Sequence, residues 1–374
     1  MFPDICISRP GVMFMEFLYN CAKLPKDHKS LSIINSAAER LFKRLKNLRV
    51  EELDISDYNR TYLKSYLEDL YGTLQKYSYI LALSLSTSNL SLNKLTFIDY
   101  GGGTGILSLL AKECDIGTVI YNDIYDVSCK DAKTIAQIIG NEIDYYIQGE
   151  IDDLIKFLRK KSMSCNAIAS SDVIEHIYDI TKFFQKMKFL PGKSITVVMS
   201  SGANMLNPII NRSIMKQQRE IEYTDRVKIK GHKKRDCLKA YSKVRREIIS
   251  NFEGLTNEEI ARLTKATRGM IKEDIEKTIS VYLKTSRLPK EPIHPTNTCD
   301  PYTGNWAEHL MDPFKLKEIL AEEGFKVEVL NGYYTESKDI IRRIIYSLLN
   351  LSITKLKKQG IRLSPFYTIY GVKN

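Results

Sequence analysis

The stretch FIDYGGGTG, Phe97–Gly105, decides how this chain folds. An apolar run ends in the carboxylate of Asp99, and Gly101, Gly102, Gly103, Thr104 and Gly105 follow. So little side chain lets a ligand approach the backbone, because glycine enters turn conformations closed to other residues. A dinucleotide loop of the form G-x-G-x-x-G wants a third glycine where the helix packs on the strand. Gly101 and Gly103 fit that form, but Ile106 stands at the third place. A nucleoside-triphosphate loop needs a lysine after its glycines. None follows here. Both phosphate readings fail on residue identity.

Outward from the loop, the rhythm is that of an α/β protein. LTFIDY, TVIYND, DYYIQ, NAIASSD and SITVVMSS read as five short strands separated by helical stretches. That alternation predicts a parallel sheet with helices on both faces. Before it, INSAAERLFKRLKNL and YLKSYLEDLYGTLQKYSYILALSL show the three- and four-residue apolar spacing of helices. After Ser201 the alternation stops and basic helical sequence follows, closed by the Pro-rich loop LPKEPIHPTNTCDPYTGNW. The pattern then resumes with a helix in DPFKLKEILAEEG and a strand in FKVEVLNGYY. A long helix from Ser337 to Lys358 and a final strand, FYTIYGVK, complete it. The expected division is an N-terminal helical region (1–93), a core (94–204 and 311–374) and a basic helical insert acting as substrate lid (205–310).

Composition narrows the class. The 374 residues are 43% hydrophobic and 27% charged, which suits a globular chain able to bury a core. No window approaches the apolar length of a spanning helix. The N-terminus lacks a basic leader and is a poor signal peptide, so a cytoplasmic location is expected. The seven cysteines are scattered without a CxxC pair. That favours reduced thiols over a disulfide frame or a zinc site. Of the net charge of +11, the segment Asn211–Lys290 alone holds 21 Lys and Arg against 11 Asp and Glu.

What remains at the loop is D-x-G-x-G-x-G, formed by Asp99, Gly101, Gly103 and Gly105 between the first strand and first helix of the sheet. With the strand order above, this resembles the class I S-adenosylmethionine-dependent methyltransferases. The resemblance implies a seven-stranded Rossmann-like sheet whose last strand runs antiparallel between strands five and six; the N-terminal helices and the helical insert lie outside it, and in that family such additions form the lid and substrate pocket. It also implies S-adenosylmethionine as cofactor and S-adenosylhomocysteine as product. In that family the glycine loop passes under the methionine and ribose, and the carboxylate, here Asp99, helps orient the amino group. The acidic residue ending strand two, Asp123 beside Asn122, would accept from the ribose hydroxyls, two acceptor oxygens meeting a vicinal diol. Gly149 and Glu150 fall where the adenine amino group is met. Ser171, Asp172 and Val173 open SSDVIEHI, which is similar to the D-V-[LI]-E-H of small-molecule O-methyltransferases.

Methyl transfer to an O–H or N–H acceptor needs alignment and removal of a proton. Glu175 and His176, just past strand four, are candidates for that work, and so are His294 and His309. In a quinone-type O-methyltransferase subgroup the same E-H pair is linked to a divalent metal; no metal is assigned here. Tyr302, Asn305, Trp306 and Glu308 form a candidate acceptor site in the loop after the insert. The alternative is that this loop docks the insert on the core, with Trp306 as plug. A hydroxyl, less readily an amine, of a small-molecule, sugar or lipid-linked acceptor, with some anionic character, is the expected substrate. An RNA methyltransferase or RNA-binding module using the basic insert is the alternative. The last helix, apolar with basic ends, would either cover a face of the sheet or rest peripherally on an anionic membrane.

Overall fold

In the computed structural model, which describes residues 16–18, 24, 30–227, 237–337 and 339–373, seven strands form one sheet. They are Thr96–Tyr100 (β1), Thr118–Asp123 (β2), Tyr145–Gln148 (β3), Ala167–Ser171 (β4), Ile195–Ser201 (β5), Lys326–Asn331 (β6) and Tyr367–Lys373 (β7). Their order is β3-β2-β1-β4-β5-β7-β6. The first five are parallel, and β7 runs antiparallel between β5 and β6, with Ile369 opposite both Met199 and Val329. This is the sheet anticipated from the sequence.

Both faces of the sheet are covered, which is why its strands read as near-continuous apolar runs. Phe97, Val119, Ala169 and Val198 point to one face, under Ser30–Lys46 (α1), Leu70–Leu85 (α3), Ile106–Glu113 (α4) and Asp126–Ile139 (α5). Asp57–Glu68 (α2) precedes α3. Ile98, Ile120, Ile168, Val197 and Met199 point to the other face, under Ile151–Lys160 (α6), Ile180–Met187 (α7) and, later in the chain, Pro313–Glu322. Alternate residues therefore serve alternate cores, as the two-residue strand period requires. The stretch read as helical from Tyr62 to Leu85 breaks at Asp69, whose carboxylate accepts from the Gly72 N–H and restarts the helix. A short acid side chain competes for backbone donors in this way and favours a cap over a helix interior.

The insert consists of Pro208–Tyr223 (α8), Tyr241–Ser250 (α9), Asn257–Ala266 (α10) and Lys272–Thr285 (α11). Val244, Ile248, Leu263, Ile275 and Ile279 give it a small core of its own. Beside that core Arg245 and Glu222 form a buried bidentate pair, and Thr298 donates to the same carboxylate. Much of the described positive charge is paired locally: Lys239, Lys243, Lys265, Lys272 and Lys277 each meet a carboxylate. Its most basic stretch, 228–236, lies outside the described residues.

Numbering Pro313–Glu322 as α12, the last helix is Ile340–Lys355 (α13). It does not cover the sheet. Only Asn350 and Ile353 are buried, and its large apolar residues face away from the body. No helix among the described residues is long and apolar enough to cross a membrane. Cys6 and Cys21 lie outside the described residues, and the other five cysteines form no disulfide among themselves.

Removing one partner of a buried ion pair strands the other charge. Arg245→Met is therefore expected to cost about 3–5 kcal/mol in urea unfolding. The double variant Arg245→Met with Glu222→Leu should recover much of that loss. Equal losses in both variants would show that the charges are not what matters.

Candidate active site

The strand order reverses between β1 and β4, so the loops leaving these two neighbours diverge and open a crevice at the sheet's carboxyl edge. The glycine loop forms one wall. Gly101 has φ +70°, and a Cβ there would meet the Val173 side chain at 2.5 Å, so the loop after β4 can pack only against glycine. Gly103, at φ +53°, has open space where its side chain would stand. The loop's backbone donors are nearly all engaged. The N–H groups of Gly101 and Gly102 donate to Asn122 O, that of Gly103 to Asp123 Oδ2, and that of Gly105 to Gly102 O. Phosphate-binding loops offer their N–H groups to the ligand. This one spends those of Gly101, Gly102 and Gly103 on β2.

Asp99 lies beneath the loop, 2% exposed, with Oδ2 accepting from both the N–H and the hydroxyl of Ser108. Burial raises its carboxyl to about 7 despite those two donors. Thr104 is buried beside it in the turn. Asn122 is also interior, its amide donating to Ile147 O and Gly149 O and so tying the end of β2 to β3. Asp123 accepts from Tyr125 N at Oδ1 and Gly103 N at Oδ2. Glu150 caps α6 reciprocally with Asp153.

The opposite wall holds residues the sequence reading did not single out. Tyr58, Tyr62 and Tyr66, four residues apart on α2, form an aromatic row that continues to Tyr77. The row runs from Asp123, beside Tyr58, to Asp172, near Tyr66 and Tyr77. Burial first, then neighbouring tyrosines and carboxylates, push the phenols of Tyr58, Tyr66 and Tyr77 above their usual range. Asp131 of α5 holds α2 in place, accepting from Ser56 N and the Asn59 amide. The i, i+4, i+8 tyrosine spacing was the available signal. What it faced was not legible, because Asp123 and Asp131 come from another part of the chain.

Asp172 adopts φ +56° and accepts from Gly202 N through Oδ1. Its Oδ2 meets Lys76 Nζ at 2.5 Å and Ser171 Oγ at 3.0 Å. Its side chain is 49% exposed at the crevice, with protein packed closely around the carboxylate's base. Enclosure would raise it, but the Lys76 ammonium and these donors bring it below the usual range. Glu175 is 1% exposed, and its Oε2 has no hydrogen-bond partner among the described residues. Burial and the charges of Asp172 and Glu308 push it well above the usual range, favouring the neutral acid.

The loop after the insert reaches this point. His309 N donates to Glu175 O, and the Trp306 indole donates to Tyr178 O. The Trp306 ring stacks with His309 at 4.0 Å and lies near-parallel to Tyr178 at 6.1 Å. A Cβ at Gly269 would meet its edge at 2.8 Å. Protein thus engages the indole, which fits the docking reading of the loop better than a stacking platform for a sugar. Buried Gln218 of α8 fixes the loop from behind, donating to Asn297 Oδ1, Ala307 O and Glu308 O. His176 places Nδ1 2.9 Å from Trp306 O and Nε2 3.7 Å from Glu308 Oε1. A carbonyl can only accept, so Nδ1 carries the hydrogen and Nε2 holds the lone pair in the neutral ring.

The structure therefore gathers Glu175, His176, Trp306, Glu308 and His309. His294 stays in its own turn, its Nδ1 accepting from Thr296 N and Asn297 N. Asn305 closes a turn with Asp300 through its backbone. Tyr302 is exposed in a separate recess with Glu247, Lys272 and Glu276. Among the described residues, no three His, Cys, Asp or Glu side chains are arranged to hold a metal ion.

No family model matches the chain, and no curated protein does. Solved structures do. It is similar to a SAM-dependent methyltransferase from Archaeoglobus fulgidus, at 16% identity over 75% of this chain and 88% of that one, with TM-score 0.33. It is similar to a putative S-adenosylmethionine-dependent methyltransferase from Listeria monocytogenes, at 13% over 76% and 94%, with TM-score 0.36. A third is the plantazolicin methyltransferase BamL, in complex with a triazolic desmethylPZN analog and SAH, at 12% over 92% and 98%, with TM-score 0.41. Likenesses this distant leave the chemistry to be read from this chain's own residues.

Burial, with His294 nearby, pushes His309 from 6.5 down to about 4. Between those values the unfolded chain binds more protons there than the folded one, so stability falls as pH drops through the window and is level above it. His309→Phe keeps a ring against Trp306 and is expected to lose about 2 kcal/mol less than the parent between pH 7 and pH 5. Urea titrations at the two pH values measure this. An unchanged slope removes His309 as its source.

Proposed function

We propose that this chain is an S-adenosylmethionine-dependent methyltransferase acting on a hydroxyl, less readily an amine, of a small-molecule, sugar or lipid-linked acceptor. One observation carries the reading: the N–H groups of Gly101, Gly102 and Gly103 are spent on β2, and Asp123 and Asp172 bring carboxylates to the loop's surroundings. Lys76, beside them, is taken by Asp172. Such a site suits a cationic, phosphate-free ligand. S-adenosylmethionine, when bound, supplies an electrophilic methyl carbon on a positively charged sulfur. Its holders would be Asp99 and the loop for the amino-acid part, Asp123 for the ribose, and Gly149, Glu150, Ser171, Asp172 and Val173 around the rest.

His176 is the residue suited to proton removal. Its Nδ1–H is fixed on a carbonyl, its Nε2 carries the lone pair, and its side chain is 37% exposed at the crevice. Taking the acceptor's proton makes an imidazolium, which Glu308 stabilises by charge at 3.7 Å. His309 is the poorer base: its pKa of about 4 leaves little driving force for taking a hydroxyl proton.

The test is transfer of labelled methyl from S-adenosylmethionine to nucleic-acid, lipid and soluble-glycan fractions of an extract. Label in lipid or glycan supports the acceptor class, label in nucleic acid overturns it, and no binding of S-adenosylmethionine in calorimetry overturns the whole reading. His176→Ala is expected to lower kcat by about 10²–10⁴-fold. Cofactor affinity should change less than about twofold, since the general base acts on the acceptor. Turnover that survives this change removes His176 as the base.

Asp99 makes a second prediction. With its carboxyl at about 7, a cationic ligand must first displace a proton. Affinity should therefore rise between pH 6 and pH 8, by up to about tenfold, with proton release seen in calorimetry. Asp99→Asn should bind more weakly and without that pH dependence. A variant that keeps the parent's pH profile excludes Asp99.

A further inference from the structure

The last helix turns its apolar side away from the protein. On α13, Ile340, Ile341, Ile344, Ile345, Leu348 and Leu351 are each 45–71% exposed. The helix is held from the other side: Asn350 exchanges hydrogen bonds with the Tyr334 backbone, Tyr346 stacks on Tyr334 at 4.8 Å, and Ile353 is buried. At 3.6 residues per turn, the six apolar residues fall opposite these anchors. A contiguous exposed patch of this kind marks an interaction surface.

Charge identifies what covers it. From Ile340 to Arg362 the chain has Arg342, Arg343, Lys355, Lys357, Lys358 and Arg362, and no Asp or Glu. All six cations are exposed, two near the start of the apolar face and the others at or beyond its end. A second copy packed parallel on this face would bring Lys355, Lys357 and Lys358 against their equals, and from residue 339 to 362 six cations stand against one acid, the N-cap Asp339. An anionic lipid surface accepts the apolar side chains and neutralises the cations together. At 16 residues, about 24 Å by the helical rise, α13 is too short to span a bilayer and suited to lie in its interface.

We infer that α13 docks the protein peripherally on anionic membrane, its apolar face in the headgroup region and its arginines and lysines on lipid phosphates and carboxylates. This does not depend on the methyl-transfer reading. The test uses the whole chain in flotation with vesicles of phosphatidylcholine alone and with about one-third phosphatidylserine. The protein is expected to float with the anionic vesicles, to dissociate as salt rises, and to stay in solution with the neutral ones. Ile344→Asp with Leu348→Asp should abolish flotation. Arg342→Glu with Arg343→Glu should weaken it by about tenfold or more. Circular dichroism of each variant establishes that the fold is kept, since these side chains make few contacts with the body. Failure of the unaltered protein to float with anionic vesicles overturns the proposal, and so does equal flotation with both kinds. So does a dimer in light scattering that the aspartate variant dissolves, which would assign the face to self-association.

Discussion

The site depends on one constraint: the loop after β1 must satisfy its backbone N–H groups while leaving its outer surface open. It does so by turning them onto the end of β2, through Asn122 O and the Asp123 carboxylate. Buried backbone donors are rarely left unpaired. Once they are used inward, the loop presents little to attract phosphate, and the neighbouring carboxylates set the electrostatics of the crevice. Asp123 thereby has two tasks. It closes the glycine loop through Gly103 N and holds the turn after β2 through Tyr125 N.

The carboxylates there are not equivalent, and their surroundings explain why. Asp172 has Lys76 and a backbone donor and stays ionised. Asp99 has only Ser108 against full burial and titrates near neutrality. Glu175 has an unpartnered oxygen and two acidic neighbours, so the neutral form is favoured. Like charges placed close together separate in this way, because only some can ionise at moderate cost. Three acids within one crevice thus offer an anion, a group that switches with ligand or pH, and a hydrogen-bond donor.

Much of this was legible in the chain. The central strands announce themselves because both sheet faces are covered there and their apolar runs are continuous, while the edge strand β6 alternates buried and exposed residues. Glu175, His176, Glu308 and His309 were picked out by residue type, and the structure brings them together. Tyr302 and Asn305 were picked out on the same grounds and stand elsewhere, since a turn of polar residues looks alike whether it faces a site or solvent. The tyrosine row and Lys76 escaped notice. Their partners are Asp123 and Asp172, far along the sequence, and nothing local marks a helix that will lie across a crevice.

The sequence by itself determined what is periodic or local: the α/β alternation, the glycine turn that excludes a phosphate loop, and a last helix that is apolar with basic ends. Those properties follow from side-chain spacing and backbone freedom over a few residues. Only the tertiary structure decided which way things face. It turned the loop's donors inward, fixed the His176 tautomer with a carbonyl 130 residues away, and held α13 by Asn350 so that its apolar side points outward. Orientation is set by long-range partners, and a pattern that repeats every three or four residues carries no record of them.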